Sequence, residues 1–379
     1  MADSRDNPAA GQRLLMKGNS ATVVGALYAG CECFFGYPIT PASEIAHDAS
    51  QFFPRAGRVF LQAESETAAI NMLYGAAGAG RRAMTASSGP GISLMQEGFS
   101  YLAGAELPCV IVDIVRAGPG LGNIGPEQSD YNQIVKGGGH GNYANIVLAP
   151  ATVQEMCDFT FDAFDWAFRW RNPVVVLADA VLGQMMETLR LPATAVRPQG
   201  EDAWAVNATP AGRGNVITSI MLDFDTLETH NRNLIAKYDR LRAAGARVEA
   251  WHTDDAELVI VAYGVCARLA RSVVELARAE GLPVGLLRPQ TLFPFPETEL
   301  RALAEDAGRR FLVMELSNGQ FQQDVRLAIE CRRPVDLLCR YGGNLITVED
   351  AMAKVRNLLG AHPPKAGRPP TVAHNAGGR

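Results

Sequence analysis

A chain of 379 residues, 47% hydrophobic and 20% charged, is long enough to bury two cores. Its formal net charge of −5 argues against a nucleic-acid binder, which needs a basic face, and no run of about 18 apolar residues offers a membrane span. The seven cysteines include no CxxC pair. Four clustered thiolates are therefore missing, an iron–sulfur cluster is not expected here, and buried free thiols are.

Residues 1–12 are polar and lack an apolar stretch, so they read as an N-terminal extension without a secretion signal, and the chain is expected in the cytoplasm. Beyond them, helical segments at 20–29, 42–52, 66–78, 91–103 and 153–170 alternate with short apolar strands at 33–35, 59–62, 83–85, 109–115, 146–148 and 174–178. Continuous apolar strands between helices imply an α/β fold with a parallel sheet covered on both faces. This first domain is expected to span residues 13–195.

Several strand ends carry candidate site residues. Gly36-Tyr37-Pro38-Ile39-Thr40-Pro41-Ala42-Ser43-Glu44 reads as strand, turn and helix start, with Thr40 as N-cap and Pro41 at the first helical position. Such a start suits an anionic ligand as well as a plain turn. Glu64 and Glu66 follow the next strand; acids there serve the helix dipole, but a buried one is costly to ionise. Ser87-Ser88-Gly89-Pro90-Gly91 is another strand-to-helix turn with free N–H groups. Arg116 ends the strand at 109–115, at the edge where ligands bind in parallel sheets, and its guanidinium can grip a carboxylate. The glycine-rich 118–126, then Gln128-Ser129-Asp130 and the segment 137–142 around His140, read as irregular loops lining a site. His140 is either a proton donor or keto-oxygen contact, or a loop histidine.

Residues 196–255 break the rhythm: a Pro/Gly/Ala-rich crossing loop, then a charged helix over 223–247 with Leu227, Leu234, Tyr238 and Leu241 on one face. A second α/β unit, 256–360, follows, with strands at 258–262, 284–287 and 311–315. Residues 361–379 are Pro-, Gly- and basic-rich and read as a disordered tail.

The nonapeptide at 36–44 resembles the YPITP motif of the α subunits of 2-oxoacid:ferredoxin oxidoreductases, which use thiamine diphosphate. The resemblance extends over about residues 13–355, including Val261-Ala262-Tyr263-Gly264, Leu287-Arg288-Pro289 and Leu292-Phe293-Pro294-Phe295-Pro296. It implies a thiamine-diphosphate-binding-type pyrimidine domain followed by a transketolase C-terminal-like domain. It implies that Glu66 lies against N1′ of the aminopyrimidine ring, with Glu64 as the alternative or a supporting group. Ser88 and Gly89 would lie near the same half of the cofactor. Arg116 and Thr40 would hold the 2-oxoacid, with Pro38 and Ile39 of the same motif beside them. Two family parts are absent here: a Gly-Asp-Gly motif followed by Asn, for Mg2+ and the diphosphate, and the cysteines of 4Fe–4S clusters. Both are implied on partners, a β subunit and a γ or ferredoxin-like iron–sulfur subunit, with ferredoxin or another electron acceptor beyond and coenzyme A as cosubstrate. The implied reaction is oxidative decarboxylation of a 2-oxoacid to acyl-CoA and CO2. The string Gly118-Pro119-Gly120-Leu121-Gly122-Asn123 departs from the Gly-Pro-Ser-Thr-Gly of 2-oxoglutarate-type subunits and looks more like the 2-oxoisovalerate type. An aryl acid such as phenylglyoxylate fits equally. The alternatives are 2-oxoglutarate or pyruvate as substrate, a different thiamine-dependent enzyme half, a non-catalytic scaffold, and a small-molecule binder without thiamine.

Overall fold

The computed structural model describes residues 3–6 and 9–361; the tail beyond 361 lies outside the described residues. The apolar runs of the first half become six parallel strands of a seven-stranded sheet. From edge to edge the order is Thr291–Phe293, Ile146–Leu148, Pro173–Asp179, Cys109–Val115, Ala83–Ser87, Cys33–Gly36 and Val59–Gln62. Every residue of Cys109–Val115 and Pro173–Asp179 is buried, as a sheet flanked by helices on both faces requires. The edge strand Thr291–Phe293 comes from the second half of the chain. It pairs antiparallel with Ile146–Leu148, Thr291 opposite Leu148.

The second sheet runs Val248–Trp251, Val284–Pro289, Leu258–Ala262, Arg310–Glu315, Val335–Cys339. It is parallel except for the first strand. Residues 248–251, read as part of the linker, thus belong to this sheet. Two small ribbons complete the fold: Arg13–Lys17 with Met186–Arg190, and Asp3–Asp6 with Thr194–Arg197. The polar extension therefore contains a strand that its composition did not announce.

The charged helix is present as Phe224–Ala243. Leu234, Tyr238 and Leu241 are buried as their spacing predicts, but Leu227 is exposed and Lys237 is buried in its place. The Lys237 ammonium donates to Glu106 Oε1 and to the Arg171 carbonyl, both at 3.1 Å, which makes its burial tolerable. Glu106 and Arg171 precede strands, so this helix lies at the opposite edge of the sheet from the strand ends that carry the candidate residues. Five cysteines are buried; Cys331 is exposed and Cys339 intermediate, against the expectation of burial. Among the described residues no helix is long and apolar enough to cross a membrane.

Candidate active site

Strand order decides which loops can meet. Cys109–Val115, Ala83–Ser87, Cys33–Gly36 and Val59–Gln62 are consecutive neighbours, all parallel. Their C-terminal ends deliver, side by side, Arg116, the turn at 87–91, the turn at 37–42, and Glu66. From Cys33–Gly36 the chain moves to one edge, and from Ala83–Ser87 it moves the other way. The crevice between these two strands is where ligands bind in open α/β sheets.

The turn after Cys33–Gly36 differs from the expected cap. The Thr40–Pro41 bond is cis, and the helix begins at Ser43 with Ala42 as its cap. Thr40 is exposed; its hydroxyl lies 3.4 Å from Ser43 Oγ. Pro38 is exposed and Ile39 half-buried. A polar network not read from the sequence fixes this turn. Asn19 donates to the Pro41 carbonyl at 2.8 Å and to Glu44 at 2.9 Å. Gln184 and Lys17 also donate to Glu44, at 2.8 and 3.2 Å. Burial alone would raise the Glu44 carboxyl, but these donors outweigh it and hold it below the ordinary value. The signal for Asn19 was an amide inside an otherwise apolar, small-residue helix.

Glu66 opens Glu66–Gly78, whose cap Ser65 accepts from the Ala68 N–H at 3.1 Å. It is buried, at 6% exposure, whereas Glu64 is exposed. Its carboxylate rests on Gly91: a methyl group there would sit 2.6 Å from Glu66 Oε1 and 2.2 Å from Ser87 Oγ. The Ser87 and Ser88 hydroxyls beside it are buried with no hydrogen-bond partner among the described residues. Buried polar atoms usually have one, so these call for a partner from outside the chain.

Arg116 is half-buried and spans the gap between turns. Nη1 donates to the Thr40 carbonyl at 3.0 Å and Nη2 to the Leu121 carbonyl at 3.1 Å. A methyl at Gly89 would lie 3.4 Å from Arg116 Cγ. Thr40, Arg116, Gly89, Gly91 and Glu66 thus form one continuous surface. A cleft of about 610 Å3 opens beside it, lined by residues of both halves, among them Gly89, Arg116, Glu127, Asp130, Asn318 and Tyr341. A second cavity of about 480 Å3, around Arg268, Arg271 and Leu345, contains none of the candidate residues, and those arginines are paired with Glu187 and Glu249.

Asp130 lines the cleft as its loop was expected to, and beside it lies Asp113, which the sequence analysis did not single out although an aspartate inside Cys-Val-Ile-Val-Asp-Ile-Val was its signal. Burial first, and the Asp130 carboxylate second, push Asp113 well above the ordinary range. Asp130 is also raised by burial, while Gln133, Asp113 and the Gly89 N–H favour its charged form. Burial thus disfavours the charged form of both carboxyls, and of Asp113 more strongly.

His140 does not join this cluster. It is exposed, on a loop whose His140 carbonyl accepts from Ser100 Oγ and whose Gly138 N–H donates to Gln96. Ser100 lies nine residues beyond Gly91 on Gly89–Gly104, roughly 14 Å along the helix axis. Among the described residues no group of three or more His, Cys, Asp or Glu side chains is arranged to hold a metal ion.

Comparison with known proteins places this geometry in a family. Residues 24–250 match the thiamine-diphosphate-binding region of pyruvate flavodoxin/ferredoxin oxidoreductases, and residues 256–351 match core domain II of pyruvate:ferredoxin oxidoreductase. The ketoisovalerate oxidoreductase subunit VorB of Methanothermobacter thermautotrophicus is 62% identical over 346 residues, covering 91% of this chain and 98% of that protein. The 2-oxoglutarate synthase subunit KorA of Archaeoglobus fulgidus is 42% identical, covering 84% and 92%. The structure of 2-oxoglutarate:ferredoxin oxidoreductase from Magnetococcus marinus, solved with 2-oxoglutarate, coenzyme A and succinyl-CoA bound, superposes with a TM-score of 0.81 at 28% identity. It covers 91% of this chain, which spans 65% of that longer one. Matched by family models over most of its length and by full-length subunits on either side of the substrate divide, the chain belongs to the 2-oxoacid:ferredoxin oxidoreductases, as their thiamine-diphosphate-binding α-type subunit.

Proposed function

We propose that this subunit, with a β partner, carries out oxidative decarboxylation of a branched-chain 2-oxoacid to the corresponding acyl-CoA. The observation that carries the reading is the continuous surface from Thr40 through Arg116 and Gly89 to Glu66, at the ends of four adjacent strands.

Glu66, Gly91 and the unpartnered Ser87 and Ser88 hydroxyls fit the aminopyrimidine half of thiamine diphosphate. When bound, that cofactor supplies the carbanion chemistry for cleaving the bond to the carboxylate. Glu66 would hold or take up a proton at the pyrimidine N1′, and its burial beside Gly91 would limit water at that contact. Arg116 binds the substrate carboxylate through its remaining N–H donors, while the Thr40 and Leu121 carbonyls fix its plane. The diphosphate and Mg2+ would be held by the β subunit, since the sequence has no Gly-Asp-Gly motif followed by Asn for them. Iron–sulfur clusters on partner subunits would supply the path for electrons to ferredoxin or another acceptor, and coenzyme A would be the acyl acceptor. Tyr37, Leu61, Leu94 and Leu121 are exposed apolar side chains on or near the strand ends, which suits a covering partner.

The 2-oxoisovalerate preference rests on the 62% identical VorB and on the hydroxyl-free loop at 118–123. A loop that offers the acyl tail no hydroxyl disfavours a tail that needs one. The test is the complex assembled with its partners, assayed by coenzyme A-dependent viologen reduction. The 2-oxoisovalerate kcat/KM should exceed those of 2-oxoglutarate and pyruvate by at least about tenfold. Glu66→Gln should assemble normally yet lose both turnover and rapid deuterium exchange at the thiazolium C2. Retained exchange in that variant removes Glu66 from the mechanism, and equal rates on all three acids overturn the substrate assignment.

A further inference from the structure

We propose that Glu127 is a positioning residue through which the second half of the chain sets the place of the Arg116 guanidinium. The inference rests on the reading of Arg116 as the substrate-carboxylate group.

Glu127 is 2% exposed and touches the cleft. Its Oε2 accepts the Gly118 N–H at 3.0 Å and the Ser129 hydroxyl at 2.7 Å. Its Oε1 accepts the N–H of Gly342, just past the last strand of the second sheet. One carboxylate thus ties the start of the glycine-rich loop to the other half of the molecule. A second strap runs parallel to it: Asn123 Nδ2 donates to the Gly342 carbonyl at 3.1 Å. The loop between is folded on itself, with Ala117 N–H on the Gly125 carbonyl, Asn123 N–H on the Ala117 carbonyl, and Arg116 bridged to Pro126. It is braced from within by these bonds, and it carries the Leu121 carbonyl that accepts from Arg116 Nη2. Whatever places Gly342 therefore places the loop, and the loop orients the guanidinium.

Glutamate suits this post because it only accepts. Its three contacts are all donors, which also accounts for a carboxylate buried here without a cationic partner among the described residues. Glutamine would turn an N–H toward at least one of those donors. The loop would then shift, and a displacement of about 1 Å in a substrate-positioning group can cost on the order of a hundredfold.

The experiment compares Glu127→Gln and Asn123→Ala with wild type in the assembled complex. Glu127→Gln should raise the KM for 2-oxoisovalerate by roughly tenfold or more, leaving the KM for coenzyme A and the C2 exchange rate within about twofold. Asn123→Ala removes the exposed strap together with the Asn123 Oδ1–Gly125 N–H bond inside the loop and should raise the same KM by a smaller factor, about threefold; it carries the test alone if Glu127→Gln fails to assemble. An unchanged 2-oxoisovalerate KM in the assembled variants overturns the proposal, as does a parallel loss of coenzyme A affinity and C2 exchange, which would mark general loosening. Arg116→Leu separates the two layers. If it leaves the KM unchanged, the reading of Arg116 fails; if it raises the KM and Glu127→Gln does not, only the coupling through Glu127 fails.

Discussion

Gly91 puts the demands of folding and of the site in opposition. It lies in the first turn of Gly89–Gly104, and its φ is not among the left-handed ones, so alanine would suit the backbone. Helix propensity alone favours that change by up to roughly 1 kcal/mol. The obstacle is local: the added carbon would sit 2.6 Å from Glu66 Oε1 and 2.2 Å from Ser87 Oγ. Either the carboxylate or the serine must move, and both lie where the pyrimidine ring is proposed to bind. Gly91→Ala should therefore keep far-UV circular dichroism and subunit assembly while turnover falls by about a hundredfold or more. Full turnover in an assembled Gly91→Ala complex would show that the Glu66–Gly91 contact is not part of the site.

At the scale of elements, strand ends capped by side chains from other elements hold the two sheets together. Asp179 closes Pro173–Asp179 and caps the short helix after it, accepting from Val181 and Leu182 at 2.9 and 3.1 Å. Its other oxygen accepts the Val265 N–H at 3.2 Å, at the start of Gly264–Ala279 in the second half. Burial pushes this carboxyl up to about 6, against the pull of those N–H groups and of Arg268. A raised acid pKa means that the folded chain binds the proton more tightly than the unfolded one. Its contribution to stability is then fully present below the unfolded value of about 4 and is lost as pH rises to about 6. The amount is on the order of 3 kcal/mol. Unfolding free energies of wild type and Asp179→Asn should converge or cross over that window, with the wild type losing ground as pH rises, and run parallel above about pH 6.5. Parallel curves throughout would place the Asp179 titration elsewhere.

The same elements show what could be read without coordinates. Cys109–Val115 and Glu66–Gly78 were legible because burial on both faces leaves a continuous apolar run or a small-residue helix in the sequence itself. Glu66, Thr40 and Arg116 were legible as strand-end residues, although the sequence could not show that their four strands are neighbours. Thr291–Phe293, Arg13–Lys17 and Asp3–Asp6 were not legible, since three to five residues take their state from a distant partner strand. Asn19 and Glu127 escaped for a related reason: their bonds reach segments far along the chain, and nothing in their immediate neighbours records the partners.

The whole molecule behaves as one cohesive body rather than two beads. Gln128 exchanges bonds with both the N–H and the carbonyl of Leu316 and donates to the Tyr263 carbonyl. Tyr131 is fully buried, donates to Asp324 at 2.5 Å, and packs edge-on against Phe321, which also meets Tyr263 and Phe295. The largest apolar core accordingly includes Ile111 and Val176 of the first sheet together with Val261 and Val313 of the second. Most telling is Thr291–Phe293, which closes the edge of a sheet otherwise made by the first half. A fragment of residues 13–255 would lose that strand, expose the apolar edge Ile146–Leu148, and leave Val248–Trp251 without Val284–Pro289. Exposed apolar edges recruit other chains. The fragment should therefore aggregate or remain bound to chaperones when expressed alone, and become soluble only when residues 256–361 are supplied in trans to re-form the edge. Size-exclusion chromatography reads the outcome directly. A monodisperse, natively folded 13–255 fragment would mean that the halves are independent, and Glu127 would then be joining two bodies free to move rather than bracing one.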